Sequence, residues 1–216
     1  MSEEDWVAAR AARARGDHAA EARIYRALAE QGDPRAQDNL GVLHERGLGV
    51  VKSYAEAVKW YRMAAEQDEP NAQNNLGVMY EMGHGVPTDH AEAVKWYHRA
   101  ATQGDVNAQH NLGNMYESGH GIAQNYTEAA AWFRRAADHG HPMAQANLGV
   151  MYELGHGVPK DLVQAHLWFS LSVASFPASE AKNRGIAMRN RDEIAARMST
   201  EQIADAHKLA RAWRPR

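Results

Sequence analysis

The sequence predicts an all-α protein built as a stack of paired helices that repeats every 36 residues. Two observations carry this expectation. A set of columns recurs without a slip, and within each row the apolar residues fall at helical rather than strand intervals. Composition agrees: alanine is abundant while Phe numbers only 3 in 216 residues, and alanine loses no side-chain rotamer freedom in a helix.

Rows of 36 align Ala36, Ala72, Ala108 and Ala144, then Leu40, Leu76, Leu112 and Leu148, followed by Gly41, Gly77, Gly113 and Gly149. Next come His44, Tyr80, Tyr116 and Tyr152, and glycine pairs at 47/49, 83/85, 119/121 and 155/157. In the second half of the row, Ala57, Ala93, Ala129 and Ala165 precede Trp60-Tyr61, Trp96-Tyr97, Trp132-Phe133 and Trp168-Phe169.

Each row therefore holds two amphipathic helices, A and B. Helix A follows an N-cap position occupied by Asp33, Glu69, Asp105 and His141, with Pro34, Pro70 and Pro142 at the first helical position, where a missing N–H costs nothing. Its apolar spacing of Ala36, Leu40 and Leu43, then position 44, marks one helical face, and the glycine pair ends it. Helix B opens on a capping box in every row: Ser53 with Glu56, Asp89 with Glu92, Asn125 with Glu128, Asp161 with Gln164. Its stripe of Ala57, Trp60, Tyr61, Ala64 and Ala65 mixes small and aromatic residues. The rings of one helix are expected to fill the room left by the alanines and by the Gly41 column of its neighbours.

The array reads as one domain over 1–216, with a partial repeat at 1–32, full repeats at 33–68, 69–104, 105–140 and 141–176, and capping helices at 177–216. Ala20 to Gln31 is the first helix B and Trp6 to Arg15 a shortened helix A. After Phe176-Pro177, helices over Ala178 to Met198 and Thr200 to Trp213 cover the last repeat, the second opening on a Ser199/Gln202 capping box.

A net charge of −3 argues against a nucleic-acid surface built on bulk charge. With Cys at 0 there is neither a disulfide nor a thiolate metal site. No run of about 18 apolar residues is present, so no membrane insertion is expected. The acidic start, Met1 to Asp5, is unlike a signal peptide; if residue 1 is the natural start the protein is expected in the cytoplasm, and a trimmed chain would fit the periplasm or secretion.

The pattern A-x-x-x-L-G-x-x-Y-x-x-G-x-G-V, followed by A-x-x-W-Y-x-x-A-A, is clearest from Ala72 to Pro87 and from Ala93 to Ala101. It resembles the Sel-one-like repeat, a relative of the tetratricopeptide repeat, over residues 33 to 173. The resemblance implies a right-handed α-α superhelix, a solenoid of antiparallel helix pairs with the A helices on its concave side. It also implies an adaptor, often bacterial, that needs no cofactor and binds a protein or peptide, here as a monomer. Some secreted, cysteine-rich members are associated with penicillin binding and weak β-lactamase activity; this chain lacks their cysteines. A self-assembling module is a third reading.

On a helical wheel of about 100° per residue, the face of helix A opposite its core carries Arg35, Asp38, Asn39, Val42, Glu45 and Arg46. Asn39 recurs as Asn75, Asn111 and Asn147. An amide both donates and accepts, so this ladder can satisfy an extended peptide backbone without reading its sequence. Selectivity would come from columns that vary: Arg35, Asn71, Asn107 and Met143, and Val42, Val78, Asn114 and Val150. The same amides could instead bond the neighbouring helix A and stitch the repeats together.

His84, His120 and His156 recur in Gly-His-Gly turns, one repeat apart. Neighbouring repeats lie roughly a helix diameter apart, on the order of 10 Å, too far to share one zinc ion. A half-buried turn role is expected, since Leu48 holds the same column. The Gly-x-Gly-Val turns follow helices and lack a preceding strand and a lysine, so they are not phosphate loops, and no nucleophile motif is present.

Overall fold

The computed structural model describes residues 3–215. Among these are twelve α-helices and no strand. They are α1 (Glu3–Ala14), α2 (His18–Glu30), α3 (Pro34–Arg46), α4 (Tyr54–Ala65), α5 (Pro70–Met82), α6 (His90–Thr102), α7 (Val106–Ser118), α8 (Tyr126–Asp138), α9 (Pro142–Leu154), α10 (Leu162–Ser175), α11 (Ala181–Ala195) and α12 (Thr200–Ala212). A single 3-10 turn, Ala178–Glu180, leads into α11. The chain divides into two compact units, Met1–Asp105 and Val106–Arg216. In the first, each helix from α1 to α6 packs on the next; in the second, α7 to α10 do the same and both α11 and α12 rest on α10. This is the solenoid-like order of consecutive helix pairs that the 36-residue period demands.

The two helices of a pair meet through a ring laid on a bare α-carbon. A Cβ added to Gly41 would stand 2.6 Å from Cε1 of Tyr61, and one on Gly77 2.7 Å from Tyr97. Gly113 against Phe133 and Gly149 against Phe169 repeat the contact at 2.6 and 3.0 Å. All four rings are fully buried. Glycine is therefore required here for close approach rather than for its backbone freedom. Where the ring is tyrosine its hydroxyl donates to a carboxylate one turn further along helix A, Tyr61 to Glu45 at 2.6 Å and Tyr97 to Glu81 at 2.5 Å. Glu45, expected on the open face, is thus drawn into the pair.

The start of helix B differs from the expected capping box. The Ser53, Asp89, Asn125 and Asp161 side chains do accept from the backbone N–H three residues on. Their own N–H groups, however, donate to the helix A carbonyls of His44, Tyr80, Tyr116 and Tyr152 at 2.9 to 3.0 Å. A helix A carbonyl near the C-terminus has no intrahelical partner, so this bond satisfies two orphan groups at once and fixes the A-to-B turn. Ser199 with Gln202, at the start of α12, does form the reciprocal box. At the start of helix A, Asp33 caps Arg35 and Ala36, and His141 caps Ala144 through Nδ1, but Glu69 makes no side-chain cap.

Consecutive pairs are joined by buried glutamines. Gln37, Gln73 and Gln145 donate to the carbonyls of Ala29, Ala65 and Ala137, in the last turn of the preceding helix B. In the first unit the column extends outward: Gln67 donates to Gln37 and Gln103 to Gln73, both at 2.8 Å. The Ala29, Ala65 and Ala137 carbonyls each also accept a backbone N–H from the turn that follows, of Gly32, Asp68 and Gly140 respectively, so the glutamines fill their second lone pairs.

Gly77→Ala should destabilise the protein by about 1 to 3 kcal/mol, because overpacking forces a buried ring to move. Gly185→Ala in α11, where the new methyl would meet only the Arg189 guanidinium at 4.0 Å, should be neutral or stabilise by about 0.5 to 1 kcal/mol. Urea denaturation of the two variants checks both signs.

Candidate peptide-binding surface

The ladder residues Asn39, Asn75, Asn111 and Asn147 are all half-buried, and each is engaged. Asn75 donates through Nδ2 to Asp38 of the preceding repeat at 2.9 Å. Asn147 donates to Asn114 of the preceding repeat at 3.1 Å. Asn39 donates to the Arg35 carbonyl in its own helix and accepts from Arg13 in α1 at 3.3 Å. Asn111 bonds the adjacent His110 side chain. Stitching between repeats is thus present at Asn75 and Asn147.

The column just before the ladder holds Asp38, Asn74, His110 and Ala146, and Asp38 and His110 are bonded by Asn75 and Asn111. Asp38 is half-buried, and desolvation pushes its carboxyl up to about 6 even though the Asn75 bond pulls the other way; Glu69, Asp105 and Glu45 add repulsion. His110 stacks on His141 with ring centroids 4.6 Å apart. Burial, with His141 adding, lowers its pKa to about 4, against the opposing Asn111 bond. Its Nε2 lies 3.5 Å from the Nδ2 donors of Asn114 and Asn147, consistent with an unprotonated acceptor. Burial lowers His141 too, Glu180 opposing.

The variable columns are more open. Arg35, Asn71, Asn107 and Met143 are exposed, and Val42, Val78, Asn114 and Val150 are half-buried. Arg35 lies over the Trp6 ring at 4.9 Å and Asn71 donates to Glu69. Arg46 is exposed at the end of α3. A cleft opens on these columns in each unit. In the first, about 340 Å³ is bounded by Asn39, Val42 and Arg46 with Arg13, His18 and Glu21. In the second, about 130 Å³ lies among Met143, Asn147 and Val150 of α9 and Asn183, Ile186 and Asn190 of α11.

The turn histidines pack on the preceding repeat. His84 stacks on Tyr54 at 4.4 Å, and His156 lies on Tyr126 at 4.5 Å. The second glycine of each of these turns presses on the same place: a Cβ at Gly157, where φ is +69°, would stand 2.1 Å from the Tyr126 carbonyl oxygen. The imidazoles there act as spacers between repeats, as Leu48 does against the first core cluster.

Sequence reasoning passed over Arg13, His18 and Glu21, and the α11 residues Asn183, Ile186 and Asn190. The last three lie outside the repeat, where no column could point to them. Glu21 did carry a signal: it stands one period before Ala57 in a column that otherwise holds only alanine, through Ala93, Ala129 and Ala165.

Comparison with known proteins agrees with the repeat fold. The Sel1 repeat family model matches residues 34–69, 70–105, 106–141 and 142–174. The chain belongs to the Sel1 repeat family. A Sel1 repeat protein from Oxalobacter formigenes is 31% identical, with a TM-score of 0.80 over 97% of this chain and 83% of that one. The protein c5321, a protective antigen of uropathogenic Escherichia coli with an SLR fold, is 32% identical with a TM-score of 0.70; the match covers 90% of this chain and 48% of that chain. The immunity protein Pa5087 of Pseudomonas aeruginosa, 22% identical with a TM-score of 0.57 over 91% of this chain and 84% of that one, shares the fold. No curated protein matches the chain. Sel1 repeats are typically protein-interaction modules and generally non-enzymatic scaffolds, and no helix here is long and apolar enough to cross a membrane.

Asn75→Ala should cost about 1 to 3 kcal/mol, because it leaves a half-buried, desolvated carboxylate without its donor, and the cost should be larger at pH 8 than at pH 5. Exposed Asn71→Ala should stay within about 0.5 kcal/mol; urea denaturation at the two pH values compares them. His110 gives the second unit the opposite pH dependence to that of Asp38 in the first. Held neutral in the fold, it supplies stability that is complete above its unfolded pKa near 6.5 and is lost as pH falls toward its folded value of about 4. Hydrogen-exchange protection of α7 and α9, corrected for intrinsic rates, should fall roughly 30-fold between pH 7.5 and pH 5, equivalent to about 2 kcal/mol. Replacing His110 by Asn, its counterpart in the preceding repeat, should reduce that dependence to the part that His141 supplies.

Proposed function

We propose that this protein is an adaptor that holds an extended segment of a partner protein along the face of its A helices. The observation that carries the reading is that a cleft opens on the same columns in both units: Asn39 and Val42 in the first, Asn147 and Val150 in the second. Each cleft pairs an apolar wall with polar groups, Asn39 beside charged side chains in the first and three asparagine amides in the second, which suits a peptide whose side chains alternate with backbone donors and acceptors. The family's usual role as an interaction module supports it. The stitching bonds narrow the role of the ladder. Asn75 and Asn147 spend a donor on the neighbouring repeat, so the exposed column of Arg35, Asn71, Asn107 and Met143 makes the first contact and the ladder backs it.

A photoreactive benzoylphenylalanine placed at exposed Asn71 or Asn107 should cross-link a specific partner in cells, whereas the same group at exposed Lys95 of helix B should not. Equal cross-linking from all three positions, or none from 71 and 107 with the protein folded, would overturn the groove reading.

A further inference from the structure

The array breaks its own rule at one buried position. Ala57, Ala93, Ala129 and Ala165 fill a column with no exposed surface, and one period earlier that column holds Glu21, which is equally inaccessible. A carboxylate taken out of water is costly unless it is paired. Glu21 is paired twice: Arg13 Nε donates to its Oε1 at 2.5 Å, and His18 Nδ1 lies 2.9 Å from its Oε2. Both partners line the same cleft of about 340 Å³.

The consequence is a guanidinium oriented from beneath. Holding Arg13 by Nε leaves the terminal nitrogens of its fork directed elsewhere, one of them 3.3 Å from Asn39 Oδ1. Arg46 borders the same space and has no ion pair among the described residues. Buried Leu43 and half-buried Leu48 supply an apolar floor, which strengthens electrostatic contacts above it. The two arginines and Glu21 leave one net positive charge, a match for a monoanion. A planar fork fits a planar carboxylate.

We propose that this cleft is a carboxylate site, in which Arg13, positioned by Glu21, and Arg46 hold a carboxyl group of the bound peptide. That the carboxyl belongs to a peptide rests on the groove reading above; the site itself rests on the geometry around Glu21. An interhelix staple alone would explain the Glu21 pairs, and it predicts a different response to substitution. Glu21→Ala installs the residue that the other rows carry at this point, so the full chain should fold with its melting temperature nearly unchanged.

The test titrates the full chain with N-acetylglycine, N-acetylglycinamide and inorganic phosphate, following the methyl resonances of Leu43 and Leu48. Expected is a saturable shift with N-acetylglycine, none with the amide, and at least tenfold weaker binding of phosphate. Glu21→Ala and Arg46→Ala should each weaken N-acetylglycine at least tenfold. Equal responses to phosphate and N-acetylglycine, or to the acid and its amide, would overturn the proposal. If Glu21→Ala fails to fold, the exposed Arg46→Ala decides, and an unchanged affinity in it overturns the proposal. A saturable N-acetylglycine response without cross-linking at 71 and 107 would remove the groove reading and keep the site; cross-linking without that response would do the reverse.

Discussion

An aromatic ring resting on a glycine α-carbon is the contact on which the rest of the structure depends. At Gly41, Gly77, Gly113 and Gly149 the absence of a side chain lets helix B lie against the helix A backbone, and dispersion forces at that range fall away steeply with even a small gap. With the ring seated, helix A cannot rotate about its axis without losing the contact. Its opposite face is then fixed as well, and that face carries the asparagine column and its variable neighbours.

Close packing of this kind leaves backbone groups at the helix ends in need of partners, and the repeat meets that need with a small polar set. The helix B N-cap N–H goes to a helix A carbonyl, and the buried glutamines go to the last turn of the preceding helix B. These bonds have the same form in successive repeats because the backbone they satisfy is the same. Columns facing outward escape that demand. Asp38, Asn74, His110 and Ala146 occupy equivalent places with different chemistry, so the surface can change character from one repeat to the next while the stack keeps its spacing.

The helices, their order and their pairing were legible in the sequence because each rests on a local or strictly periodic signal. The Leu-Gly step, the Trp-aromatic step and the Gly-x-Gly turn recur often enough to reveal one another, and the ring-on-glycine contact follows from their complementary sizes. The N-caps were less legible. Ser53 and Glu56 have the residue types of a reciprocal box, yet the Ser53 N–H is claimed by the His44 carbonyl, a partner that only the turn geometry brings near. Asn75 and Asn147 illustrate the same difficulty: a ladder of amides fits ligand capture and interrepeat bonding equally well until the neighbouring Asp38 and Asn114 are located in space.

By itself the sequence determined the all-helical class and the 36-residue unit, since those follow from periodicity and from the sizes of adjacent side chains. Tertiary structure alone decided which polar groups on the outer face of helix A are already spent, where α11 closes a cleft beside Met143 and Val150, and how Glu21 is paired within an alanine column. The physical reason is common to all three. A hydrogen bond or ion pair is set by distances of about 3 Å between groups far apart in the chain, and a periodic pattern specifies which helices are neighbours without specifying which of their side chains meet.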